Sequence, residues 1–131
     1  MSRVIEPEDW PRPSGYSNGI AASGEQLFIA GQVGWNERHE FVSDDFAGQA
    51  AQALRNVTAV VQAAGGAPCD VVRMTWYVTD IREYQAALKE VGAAFRALFG
   101  AHYPAMTLVQ VPSLLEDRAK VEIEATAVLR R

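Results

Sequence analysis

The chain has 131 residues, 49% of them apolar, and its 12 basic and 16 acidic residues leave a formal charge of −4. That length predicts one domain over residues 1–131 with a real core, and the acidic balance without a basic run argues against nucleic acid and anionic membrane as partners. No apolar stretch nears the roughly 20 residues of a membrane span, the N-terminus lacks a signal-peptide core, and a lone cysteine, Cys69, excludes an internal disulfide. The expected compartment is the cytoplasm.

Pro7, Pro11 and Pro13 fix φ and remove donors, so residues 1–18 predict an extended arm rather than a helix. Gly19–Ala22 and Gln26–Val33 predict two strands joined as a hairpin by Ser23-Gly24-Glu25. Gly31 interrupts the second strand, which marks a close approach of backbone or ligand. A polar loop with Trp35, Asn36 and His39 follows.

Ser43-Asp44-Asp45 predicts a helix start, with Ser43 or Asp44 as the cap. Phe46, Ala50, Ala53, Leu54, Val57, Val60, Val61 and Ala64 then recur at helical spacing until Gly65-Gly66 and Pro68 stop the run. Asp70–Thr79 is β-branched and aromatic and predicts a central strand. Asp80 and Glu83 have capping-box spacing, and Tyr84, Leu88, Val91, Phe95, Leu98 and Phe99 form a second helical stripe up to Gly100. Gly92 inside it costs about 1 kcal/mol against alanine, which predicts close packing on a neighbour.

Tyr103–Val111 and Val121–Val128 predict two more strands. In the last, Val121, Ile123, Ala125 and Ala127 share one face, and Glu122, Glu124 and Thr126 the other. The predicted order is β-β-α-β-α-β-β, an α+β domain with both helices on one face of a mixed sheet. The other face is left uncovered, carrying either Met74 and Trp76 or Thr75 and Tyr77, which predicts oligomerisation through it.

Glu122 on a sheet face can pass a proton to or from water; the alternative is an interface carboxylate paired with Lys120 or Arg73. Glu124 reads as structural. His39 and His102 have no second ligand at metal spacing, so no metal site is expected, and Cys69 has no evident base beside it. Trp35 follows the glycine loop and could line a cleft or pack in the core.

The element order, the Gly15-Tyr16 arm, Ala30-Gly31-Gln32, Asn56, Tyr103-Pro104-Ala105 and Val121-Glu122-Ile123-Glu124-Ala125 together resemble the Rid (YjgF/RidA) family over nearly the whole chain. The resemblance implies a chorismate mutase-like fold and a homotrimer with a central barrel and three inter-subunit clefts. It further implies cofactor-free hydrolysis of small reactive enamines and imines, such as 2-aminoacrylate, to ammonia and a 2-keto acid. In active members an arginine directly after Pro-Ala clamps the substrate carboxylate; here that position is Met106. The water-activating glutamate matches Glu122, the arm tyrosine Tyr16, and the glycine beside the water Gly31. A serine before that glycine is Ala30 here, a cysteine two residues after the arginine is Leu108, and an asparagine of the second helix aligns with Leu88.

The resemblance therefore implies a retained proton-handling half and a missing carboxylate clamp. Met106 either shapes an apolar pocket or simply packs, and Arg118 or Arg73 either restores the charge or stays on the surface. Two functions follow. One is an imine deaminase with altered specificity, 2-aminomuconate included, in which Gly31 N–H and the Leu108 backbone hold water or developing charge. The other is a non-catalytic trimer that binds a small metabolite or stabilises a partner.

Overall fold

A computed structural model describes residues 2–130. In chain order these form β1 (Ser2–Ile5), β2 (Gly19–Ala22), β3 (Glu25–Gln32), α1 (Phe46–Ala63), β4 (Val71–Val78), α2 (Ile81–Ala86), α3 (Leu88–Phe99), β5 (Ala105–Gln110) and β6 (Val121–Leu129). The main sheet has the order β3-β6-β4-β5. β6 runs antiparallel to both neighbours, whereas β4 and β5 are parallel and are joined by the helical crossover that parallel pairing requires.

The alternation of β6 decides how the layers stack. Val121, Ile123, Ala125, Ala127 and Leu129 are all buried, as are Met74, Trp76 and Val78 of β4. Against them lie Leu54, Val57 and Val61 of α1 and Val91, Phe95 and Phe99 of α3, all in one apolar cluster. Burying a side chain such as Leu54 contributes about 1.5–3 kcal/mol. The expected α+β arrangement, a mixed sheet covered by helices on one face, is present.

Several local expectations are corrected. β2 and β3 are not a hairpin: β2 pairs with β1 in a separate two-stranded sheet, while β3 pairs with β6. The chain parts at Gly24, whose φ of +146° is closed to other residues and whose missing Cβ clears the Leu129 carbonyl. The arm holds no helix, as expected, but it is not simply extended: its first residues form β1, and a turn in which Trp10 N–H donates to Pro7 O at 3.2 Å lies on the way back to β2, which pairs antiparallel with it. The cap of α1 is Asp45, which accepts from Gly48 N at 2.6 Å, while Ser43 Oγ donates to the same carboxylate at 3.0 Å. Asp80 caps α2, accepting from Arg82 N, but no capping box closes because Glu83 instead accepts from Lys120 Nζ at 2.9 Å. The second helical stripe is broken at buried Ala87, whose N–H bonds back to Tyr84 O in a tight turn; nothing in the local sequence explains the break.

The far face of the sheet is bare in this chain. It carries the second of the two expected sets, Thr75 and Tyr77, opposite Glu124 and Glu122 on β6. Phe28 stands on it 75% exposed.

Candidate functional site

One candidate wall forms where β3 meets β6. Ile29 is opposite Ala125 but Gln32 is opposite Ile123, so β3 bulges around Ala30 and Gly31. A Cβ on Gly31 would overlap the Glu122 carboxylate, so only glycine lets that side chain lie along the strand. Beside it, opposite Glu122, Tyr77 has its hydroxyl pKa held above the ordinary 10.0, by desolvation first and then by Glu124. Lys120 is committed to Glu83, so it is not the intrachain partner of Glu122.

Two polar side chains fix this wall from α1. Asn56 Nδ2 donates to the carbonyls of Val33 and Trp35 at 3.0 and 2.8 Å, pinning the loop after β3. Gln49, 1% exposed, donates to the Ser43 and Arg118 carbonyls and accepts from Lys120 N. Sequence reading missed Gln49; its signal was a polar residue adjoining the apolar stripe of α1. Trp35 stacks on His39, ring centroids 4.0 Å apart, in the same loop.

A second wall forms at the opposite sheet edge. Ser17 bridges to Ala105, its N–H donating to Pro104 O at 3.0 Å and its hydroxyl to Tyr103 O at 2.5 Å, which ties the arm to β5. Tyr16 is thereby held over a groove of about 650 Å³ that crosses the bare face, lined by Phe28 of β3 and Arg73 of β4 and reached at its β5 edge by Met106. Behind it, Met106 lines a cavity of about 340 Å³ between β5 and the helices, together with Trp76, Tyr84, Leu88, Phe95 and Tyr103. Leu108 packs on the core two residues along β5. Gly92 and Arg96 also line that cavity. The close neighbour of Gly92 is not another element but the Arg96 guanidinium, whose Nη1 would lie 3.1 Å from a Cβ on residue 92.

The two walls do not meet within one chain. β4 lies between β5 and β6, and Met106, paired with buried Met74, faces the helices, whereas Glu122, paired with Tyr77, faces the bare side. Of the other candidates, Arg118 Nη2 donates to Asp44 at 2.5 Å and its guanidinium lies 5.2 Å from the Phe41 ring centroid, away from the Met106 cavity. Arg73 is exposed on the bare face. Among the described residues no three His, Cys, Asp or Glu side chains gather as metal ligands, and no helix is long and apolar enough to cross a membrane. Cys69 is exposed, with Arg130 Nη2 at 3.6 Å from its sulfur.

Comparison with known proteins identifies the family. The family model described as endoribonuclease L-PSP matches residues 10–129. The chain is 37% identical to the 2-iminobutanoate/2-iminopropanoate deaminase of Escherichia coli K12, covering 99% of this chain and 100% of that one. It is 40% identical to a RutC family protein of Pyrococcus horikoshii over 97% and 98% of the two chains. The crystal structure of a Rid-family protein of unknown function from Yersinia pestis superposes with a TM-score of 0.86 at 39% identity, covering 98% of each chain. The fold and these matches place the chain in the Rid (YjgF/RidA) family.

Proposed function

We propose that this chain hydrolyses small reactive imines or enamines, R₂C=NH + H₂O giving R₂C=O + NH₃, in clefts formed where copies of the chain meet. The observation that carries the reading is the Gly31–Glu122 pair: a strand bulge with no side chain beside a half-buried carboxylate on an otherwise bare sheet face. Glu122 takes a proton from water as its oxygen attacks the C=N carbon and returns it to nitrogen, giving a carbinolamine; it then carries the carbinolamine hydroxyl proton to nitrogen as the C–N bond breaks, so that the carbonyl forms and ammonia leaves. Gly31 N–H and the Leu108 backbone hold the water or the developing charge. The relatives named as imine deaminases support this chemistry. Exposed Phe28 on the uncovered face supports assembly into a trimer, whose neighbouring copy would bring a Met106 wall to each Glu122.

The test is ammonia release from imines made in place by an amino-acid oxidase, with Glu122→Gln in parallel. Acceleration that depends on Glu122 supports the reading; none from a folded, associated protein overturns it. A narrower form takes 2-aminomuconate, its far carboxylate on Arg118, and requires Arg118 to leave Asp44. A second reading, a non-catalytic metabolite-binding trimer, is favoured by the apolar Met106 where the family's clamping arginine is expected. It predicts that Glu122→Gln binds ligand as the parent does, with no turnover to lose.

A further inference from the structure

The cavity behind Met106 is walled by aromatic and aliphatic side chains, yet two hydrogen-bond donors lacking acceptors belong to its lining. Arg96 reaches it from α3, lying along Gly92, where the absence of a Cβ leaves room for the guanidinium. Among the described residues no carboxylate pairs with Arg96. The second donor is the indole N–H of Trp76, a residue 2% exposed, whose Nε1 has no acceptor. A guanidinium that is free, forked and beside an apolar chamber suits a carboxylate on an apolar body.

We propose that Arg96 is the carboxylate anchor of this cavity, and that the cavity takes 2-imino acids, and their 2-oxo acid products, with a bulky apolar side chain. The proposal rests on the cavity being the substrate wall of the reading above. The Arg96 guanidinium pairs with the ligand carboxylate, and the side chain of the ligand packs among Trp76, Leu88 and Met106. Charge lost at position 106 is thus supplied from α3, ten residues earlier in the chain. A basic residue in the last turn of a helix also complements the helix dipole. That structural role alone would lower the melting temperature of a variant without changing what it binds.

The experiment titrates phenylpyruvate and, separately, 2-oxobutanoate into the parent and into Arg96→Gln, Arg96→Lys, Lys89→Gln and Arg118→Gln, reading heat of binding and melting temperature. Expected are tighter binding of phenylpyruvate than of 2-oxobutanoate and a loss of about ten- to hundredfold in Arg96→Gln, the range of a charge-assisted hydrogen bond. Partial recovery in Arg96→Lys and no change in Lys89→Gln, a substitution at an exposed α3 residue that does not line the cavity, are also expected. Parent-like binding by Arg96→Gln, loss in Arg118→Gln alone, or no binding by the parent overturns the proposal. Arg96-dependent binding without Glu122-dependent ammonia release would sink the deaminase reading and leave the anchor standing. Glu122-dependent release with an unchanged KM for phenylalanine-derived imine in Arg96→Gln would do the reverse.

Discussion

The wall at Gly31 and Glu122 and the wall at Met106 are built by different means. The first is polar, lies on the bare sheet face, and is positioned by backbone: a bulge in β3, a glycine, and the loops after β3 and before β6 that Asn56 and Gln49 pin to α1. The second is apolar, faces the helices, and is positioned by packing among Trp76, Tyr84, Leu88 and Phe95. Chemistry can be kept on a backbone-defined wall while a packed wall is rebuilt side chain by side chain.

Substitutions can break that comparison, the largest effect first. Glu122→Gln is expected to lower imine hydrolysis about 10²–10⁴-fold, with ligand binding retained, as steady-state ammonia release and calorimetry would show. Trp76→Ala empties the packed wall and is expected to cost about 3–5 kcal/mol in denaturant unfolding. Asn56→Ala leaves the Val33 and Trp35 carbonyls without their donor; about 1–3 kcal/mol of stability and much of the hydrolysis should go together. An outcome with stability lost but turnover intact would show that the loop does not position Gly31.

The smallest expected effect is alkaline. Burial raises the Tyr84 hydroxyl pKa above its ordinary 10.0. The folded state then holds its proton more tightly than the unfolded chain, so this stability is complete below about pH 10 and is lost as pH rises through the folded value. Tyr84→Phe keeps the ring against Phe46 and Trp76 and should flatten the alkaline decline in unfolding curves between pH 8 and about 11.

How far the sequence alone led follows the same division. Alternation in β6 and helical spacing in α1 are local periodicities, and both elements formed where they were expected. The pairing of β2 with β1 is not local, since prolines and a polar arm separate them, and the Ser23-Gly24-Glu25 turn reads as a hairpin until Leu129 is placed beside it. Gly31 and Glu122 were visible as single residues. Their convergence depends on a register shift that no periodicity reveals. Arg96 was hidden because its meaning comes from Gly92 one turn earlier and from a cavity assembled by β4, α2, α3 and β5.

The central claim is that a complete site needs the Glu122 wall of one copy and the Met106 wall of another. Glu122→Gln and Met106→Trp, each expected to be inactive alone, would be unfolded together, refolded as a mixture and assayed for ammonia release. Shared clefts predict recovered activity in the mixture, because some clefts then pair an intact Glu122 with an intact Met106. No recovery, from variants that fold and associate as the parent does, would contradict the account.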